Sequence, residues 1–379
     1  LEQGDVRGEL IRLQCELEAA GVRDPRRVEM RARERALLRD HRAAIVRDLA
    51  GITEGVVITR GLVEHVTIRA QALAKHGSTL LAAHPVRRMR ILVDGPAALA
   101  QLAELDCLAR VPAIELEART KPKESSPCAV MPSVLIGSPA FAAVEELVLT
   151  QVSDDDDEWT RFVAGFVAPR LTSLAFDHGR IGPNARELLA HARTFPALRQ
   201  VRISRTEGDP DEAGEVLARI AARPLLDALH LAFDQTYWRA AEMDRVVAAI
   251  LAQATGLTEL HLAPYTAGSD RSLAAIASSP SAPTLQRLAV HRSHATTAGL
   301  ARLIRALPAV RELTVNPFPS DVDDFDPLVA ALLASPTLTQ VRWDRCTLGP
   351  IRTQRVLASL DLVEADLQTG RLWLSTGSR

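Results

Sequence analysis

A chain of 379 residues that is 47% hydrophobic and 24% charged has the composition of a folded protein, which excludes a disordered chain. Its formal net charge of −2 excludes the polybasic class that binds nucleic acid or anionic membranes through bulk charge. The positive charge is almost entirely arginine and alanine is abundant, a bias that indicates GC-rich coding and a bacterial origin.

The cysteines are scattered, and none forms a C-x-x-C pair, so we expect neither a disulfide framework nor a zinc site. They are Cys15, Cys107, Cys128 and Cys346. No apolar run approaches the roughly 20 residues that span a bilayer, and no signal sequence opens the chain. We therefore expect a cytoplasmic protein that binds no membrane. Because the chain opens at Leu1 and not at a methionine, the alternative that an upstream segment carries a signal or a further element stays open.

Two helices are predicted at the start of the chain. The first has an apolar stripe at helical spacing and ends at Gly21. The stripe consists of Val6, Leu10, Leu13 and Leu17. The second helix has Asp24 as its cap and Pro25 at its first position, and it runs to about Leu49. Its many arginines are interrupted by acidic residues and not by aromatic ones, which favours a solvated helix over a nucleic-acid surface.

The segments Gly4–Gln14 and Arg33–Leu38 resemble the bacterial repeat-companion domain, a short helical module that accompanies repeat arrays. That family usually has proline at the position of Val6 and tryptophan near Ile45, and it has a further helix upstream. The resemblance implies a repeat array next to this module. It implies no catalytic residues.

An apolar frame of the type L-x-x-L-x-L recurs along the rest of the chain at intervals of about 25–31 residues, each copy followed by a helix-like run. Clear copies start at Leu171, Leu198, Leu226, Leu257, Leu285, Val310 and Leu338. Weaker copies start at Val63, Val86, Val111 and Val144. The sequence therefore predicts a helical cap over 1–50 and a repeat domain of about eleven units over 51–379, clearest over 171–348, with an exposed insertion at Thr120–Cys128.

The copy at Leu338–Leu348, with Cys346 at its ladder position, resembles the ribonuclease-inhibitor type of leucine-rich repeat. This resemblance implies an α/β solenoid, or horseshoe, with parallel strands on the concave face and helices on the convex face. The ladder position is eroded in the other clear copies, where it is Gly179, Thr206, Asp234, Tyr265, Ser293 or Phe318. We expect the fold to survive that erosion.

Polar side chains at the outward positions of the strands are the candidate binding residues. They are Arg202, His230, His261, His291, Arg292 and Arg342. His230 and His261 occupy the same frame position in successive units, so we expect them to be neighbours roughly 5 Å apart on the concave face. They lack a carboxylate and a third histidine in the same row, although Glu259 and His291 are close in the predicted face, and this favours a surface for recognition over a metal site. The alternative, that these residues form a solvated face without a partner, stays open.

Aromatic residues are rare, yet Phe233, Tyr237, Trp238 and Tyr265 gather in two adjacent loops that follow predicted strands. Such anchors are typical of binding hot spots, so this rim is a second, weaker candidate for contact with a partner. The alternative is that these residues fill gaps where the side-chain ladder is missing.

The acidic runs Ser153–Trp159 and Ser320–Asp326 have the composition of a calcium loop. Their spacing does not match the twelve-residue loop with its glycine and terminal glutamate. Both runs precede predicted helices, where acidic residues cap free amides, and we favour that interpretation.

No nucleophile elbow, Walker loop or dinucleotide-binding motif follows a strand, so no catalytic residue is predicted and we expect neither an enzyme nor a bound cofactor or metal. Two functions remain. One is a monomeric scaffold that binds a protein partner, and not nucleic acid, through the concave face and loop rims. The other is a regulator of a partner enzyme, of the GTPase-activating or ligase-adaptor kind that some repeats of this type perform.

Overall fold

The structure is a computed structural model, and the chain divides into two compact units. Unit 1 consists of residues 1–153 and 165–171, and unit 2 of residues 154–164 and 172–379. The residues described are 6–20, 24–119, 131–153, 155–177, 181–191, 193–206, 209–233, 238–263, 269–291, 295–316, 326–343, 364–366 and 371–375. The predicted insertion at Thr120–Cys128 lies outside them, as does most of the acidic run Ser320–Asp326.

Unit 1 alternates helices and strands after two N-terminal helices. Its elements are α1 (Val6–Ala19), α2 (Arg26–Ile45), β1 (Thr53–Thr59), β2 (Leu62–Arg69), α3 (Ala70–Ala83), β3 (Arg88–Val93), α4 (Pro96–Ala103), β4 (Ala113–Ala118) and β5 (Glu146–Thr150). Short 3-10 helices occupy Arg47–Leu49, Asp106–Arg110, Pro132–Leu135 and Pro139–Phe141.

The two predicted N-terminal helices are present as α1 and α2. Leu10, in the predicted stripe, is buried in a cluster with Leu37 and Ile45 of α2 and Ile58 of β1. Leu13 packs against the same cluster. Within unit 1 the stripe of α1 therefore has α2 and β1 as packing partners, and the predicted boundary at residue 50 falls between elements that share one core.

The strand β1 is an addition to the predicted repeat frame. It pairs antiparallel with β2 through the two-residue loop Arg60–Gly61. Both loop residues have positive φ, 50° and 66°, as hairpin turns of this length require. A Cβ on Gly61 would lie 2.7 Å from Ile11 Cγ1, and the backbone N–H of Gly61 donates to Gln14 Oε1 at 2.9 Å. Helix α1 thus sits closely against this turn.

From β2 onward the predicted frame is followed in unit 1. Strands β2, β3, β4 and β5 pair in parallel, each with the next in the chain. The fourth and sixth frame residues are buried, as Met89 and Ile91 of β3 illustrate, and the residues between them are more exposed. Alternation of this kind places one face of the strands in the core.

Unit 2 repeats the strand–helix alternation with greater regularity. Its elements are α5 (Asp156–Gly165, whose last residue belongs to unit 1), β6 (Ser173–Asp177), α6 (Pro183–Ala190), β7 (Gln200–Thr206), α7 (Pro210–Ala221), β8 (Ala228–Phe233), α8 (Ala240–Gln253), β9 (Glu259–Ala263), α9 (Asp270–Ala277), β10 (Arg287–His291), α10 (Thr297–Ala306), β11 (Glu312–Asn316), α11 (Asp326–Ala334), β12 (Gln340–Trp343), β13 (Glu364–Asp366) and β14 (Arg371–Ser375).

The strands of unit 2 follow chain order from β6 to β12, and each pairs in parallel with the next. The registers align equivalent frame residues, so Leu229 stands opposite Leu260, and Leu260 opposite Leu288. After β12 the direction reverses, because β14 pairs antiparallel with both β12 and β13. The predicted α/β class, with mostly parallel strands alternating with helices, is confirmed.

The acidic run that precedes Trp159 lies at the start of a helix. Helix α5 begins at Asp156, and the carboxylate of Asp155 accepts a hydrogen bond from the backbone N–H of Asp157 at 3.0 Å. Trp159 itself is buried, with its ring 5.0 Å from that of Phe176. This arrangement is the one expected of a helix start.

None of the helices in the described part of the chain combines the length and the apolar character that crossing a membrane would require.

Candidate functional site

The candidate site lies on the face of the unit 2 strands that points away from the helices, which we call the open face. On β9, Leu260 and Leu262 point inward and are buried, while Glu259, His261 and Ala263 alternate with them and are partly exposed. Since alternate residues of a strand lie on opposite faces, the three partly exposed residues belong to the open face.

Three histidines from consecutive strands meet on this face, and we call them the histidine row: His230 of β8, His261 of β9 and His291 of β10. His230 stands directly opposite His261 in the strand register, and their ring centroids are 5.3 Å apart. His291 lies two residues beyond Ala289, the residue opposite His261, yet its ring centroid is 4.8 Å from that of His261. The row is therefore continuous across three strands.

One end of the histidine row is held by a carboxylate. His230 Nε2 lies 2.8 Å from Glu259 Oε1, in hydrogen-bond contact, and Glu259 also forms an ion pair with Arg287 of β10. The hydrogen bond from His230 lowers the pKa of Glu259 against the opposing effect of its burial. Glu259 is thus a fixed anion that joins the outward residues of β8, β9 and β10.

His261 lies in the middle of the row, between His230 and His291. Its Nε2 is buried and has no hydrogen-bond partner among the described residues. Burial, followed by repulsion from His291 and His230, lowers the pKa of His261 to about 4. At neutral pH this imidazole is therefore uncharged.

Arg202 of β7 extends the same face by one strand. It forms an ion pair with Asp177 of β6 at 3.0 Å, and its side chain remains 40% exposed. In the register it stands opposite His230, so a cation lies directly beside the histidine row. Around the row the open face carries small side chains, namely Ala232, Ala263 and Ala289.

The remaining predicted residues fall into two groups. Arg292 and Tyr237 lie outside the described residues, and for Arg342 only the backbone, in β12, is described. Phe233 and Trp238 are both buried, and their ring centroids are 5.4 Å apart. That placement fits the gap-filling alternative, because neither ring offers a free surface to a partner.

Two charged residues of the site were not predicted: Asp177, which pairs with Arg202, and Arg287, which pairs with Glu259. Both residues could have been found from the sequence, because each lies two residues from the outward position of its copy of the frame and therefore on the same face of the strand. Which of several such residues form ion pairs depends on side-chain rotamers, which the frame does not encode.

The described residues contain no group of three or more His, Cys, Asp or Glu side chains placed to hold a metal ion. A small pocket lies behind the row, lined by Phe233, Leu262, Val290, His291 and residues of α8 and α9. Its volume of about 20 Å³ is room for about one water molecule. The site can therefore offer hydrogen bonds, charge and flat ring surfaces to a partner that lies on the face.

The exposed face of the unit 1 strands also carries charges, and several of them pair with one another. Arg90 of β3 contacts both Glu117, at 2.6 Å, and Glu115, at 3.2 Å, on β4, and Arg88 pairs with Glu146 of β5. Histidines do not form a comparable row on this face within the described strands of unit 1.

No family model matches the sequence, and a search of curated proteins found no match.

Proposed function

We propose that the protein is a non-enzymatic scaffold that binds a protein partner, and that the open face of unit 2 is the binding surface. In this proposal the repeats are of the leucine-rich type and the stack curves so that the open face is concave. Residues 1–50 act as a repeat-companion cap. The protein works as a monomer in the bacterial cytoplasm, without a cofactor.

The observation that carries the proposal is the histidine row with its flanking arginine. These side chains stand on paired parallel strands whose inward neighbours form the core, so their positions are fixed by residues that take no part in recognition. Planar rings and guanidinium groups that lose little conformational freedom on binding are typical of interface hot spots. The paired charges of Arg202 and Asp177 would also orient a partner without attracting anions in bulk.

The test is affinity capture from the native lysate with wild type and with a variant that carries Arg202→Ala, His230→Ala and His291→Ala. We expect the variant to fold and to lose at least about tenfold in captured partner, since hot-spot truncations cost about 1.4 kcal/mol or more each. Circular dichroism and thermal melting establish that the variant is folded.

The matched control carries Arg219→Ala and Arg245→Ala, two exposed arginines of α7 and α8 that pair with Glu187 and Asp211. This variant should retain the partner. Loss of the partner in the control and retention in the open-face variant would move the binding surface to the helices and overturn the proposal. A captured enzyme whose rate changes when the protein is added would favour the regulator alternative.

A further inference from the structure

The histidine row brings together three groups that become cationic on protonation. The ring centroids are 5.3 Å apart between His230 and His261 and 4.8 Å apart between His261 and His291. Neighbouring strands of a sheet are held about 4.8 Å apart by their hydrogen bonds. The register therefore keeps the backbones of the three residues close together as long as β8, β9 and β10 stay paired.

Most of the ionisable groups around His261 are cationic or become cationic on protonation, so they repel a proton on its ring. His230 on β8, His291 and Arg287 on β10, and Arg202 on β7 all lie around it on the open face. Among the described residues the anion that acts on it is Glu259 on its own strand, which already contacts His230 and Arg287. A proton on His261 would thus be buried beside like charges, with its Nε2 lacking an acceptor among the described residues.

We infer that the histidine row makes β8, β9 and β10 an acid-sensitive region of unit 2, in which protonation of His261 opens the strand pairing while the other strands stay paired. This inference is independent of the proposed function, because it concerns the fold alone and requires no partner.

The direction of the pH dependence follows from the lowered pKa of His261. This pKa is about 4 in the folded state, against an ordinary value of 6.5 for histidine. Between these two values the opened state binds more protons than the folded state, so stability rises with pH. The stability is fully present above about pH 7 and is lost as the pH falls from about 6.5 towards 4.

Amide hydrogen exchange of the full chain at pH 7.5 and pH 5.0, corrected for the intrinsic exchange rate, tests the inference. We expect the opening equilibrium of β8, β9 and β10 to increase by up to about tenfold per pH unit below 6.5, the limit for one proton taken up on opening. Strands β2, β3 and β4 of unit 1 provide the internal reference and should change much less. An equal acid-induced increase in all strands would overturn the inference.

The deciding variant is His261→Gln, which keeps a polar side chain that cannot be protonated. It should remove most of the acid-induced opening in β8, β9 and β10, and its melting temperature should fall by about 5 °C less than that of wild type between pH 7.5 and 5.0. The control is His191→Gln, an exposed histidine outside the row, which should behave like wild type.

A second variant keeps the test decisive if His261→Gln does not fold at pH 7.5. His230→Gln combined with His291→Gln leaves His261 in place but removes both neighbouring imidazoles. It should weaken the acid-induced opening as well. Opening that is unchanged from wild type in whichever of the two variants folds would overturn the inference.

Discussion

The guanidinium of Arg223 completes the backbone hydrogen bonding at the end of α6. It donates to four carbonyl oxygens at distances of 2.7–2.8 Å. The carbonyls belong to Leu189, His191, Thr194 and Phe195. Phe195 has a φ of 50°, a backbone conformation that a bulky residue rarely adopts. One buried side chain, which lies between α7 and β8, therefore stabilises the irregular segment between α6 and β7.

Replacing Arg223 by methionine should lower stability by about 3 kcal/mol, because four carbonyl groups lose a charged donor in a place with little access to water. We expect the melting temperature to fall by about 9 °C. The melting temperature of Arg223→Lys should lie between those of wild type and Arg223→Met, since one ammonium group cannot reach all four oxygens.

The control for this prediction is Arg219→Ala, four residues earlier on α7, whose exposed side chain pairs with Glu187. Surface ion pairs contribute roughly 0–1 kcal/mol, so its melting temperature should change little. Equal effects of Arg219→Ala and Arg223→Met would contradict a special role for the four carbonyl contacts.

At the scale of elements, an aspartate in the first turns of one helix caps the start of the next helix. Asp244 of α8 accepts hydrogen bonds from the backbone N–H and the hydroxyl of both Ser269 and Ser272 at the start of α9. Burial raises the pKa of Asp244, but these hydrogen bonds outweigh it and lower the pKa overall. Asp270 of α9 makes the same contact with Thr296 before α10. Adjacent repeats are thus joined by caps as well as by strands.

This capping requires space at the start of the capped helix. A Cβ on Gly299 of α10 would lie 2.1 Å from Asp270 Oδ1, whereas a Cβ on Gly214 of α7 would meet its nearest atom at 3.5 Å, an ordinary contact. Gly299→Ala should therefore destabilise the protein by about 1–3 kcal/mol, although alanine is the better helix former. Gly214→Ala should stabilise it by about 0.5–1 kcal/mol. Urea denaturation of both variants measures the two signs, and a stabilising Gly299→Ala would contradict the capping account.

The sequence predicted elements well where one pattern decides the structure. The L-x-x-L-x-L frame places its fourth and sixth residues in the core, so strands such as β3 and β9 could be located from periodicity alone. The hairpin of β1 and β2 was not predicted, because its turn is Arg60–Gly61 and not the Asn-Gly or Asp-Gly pair that marks such turns. The strands β13 and β14 have no copy of the frame and were missed for that reason.

The candidate site was predictable in part, for the same reason. The shared frame position implies that His230 and His261 are neighbours, and the strand register places them opposite each other. The contact of His291 with His261 runs diagonally between frame positions, and the burial of Phe233 and Trp238 depends on how the helices pack. Such features arise from tertiary packing, which periodicity does not describe.

At the scale of the whole molecule, each unit is a stack in which a strand contacts its neighbours in the chain. In unit 2 the parallel pairs run without interruption from β6 to β12. The stability of such a stack is approximately the sum of the repeats and of the interfaces between neighbours. A change inside one strand should therefore be felt most in the adjacent strands, and the effect should depend on which face of the strand is changed.

Two adjacent residues of β11 test this directly. Leu313 is 3% exposed and points into the core, while Thr314 lies on the open face opposite Ala289. Leu313→Asp should bury an unpaired charge, cost about 4 kcal/mol or more, and increase amide exchange in β10, β11 and β12. Thr314→Asp introduces the same side chain one position away and should change stability by roughly 0.5 kcal/mol or less. Similar costs for the two variants, measured by urea denaturation, would contradict the assignment of faces on which both the core and the open face of unit 2 depend.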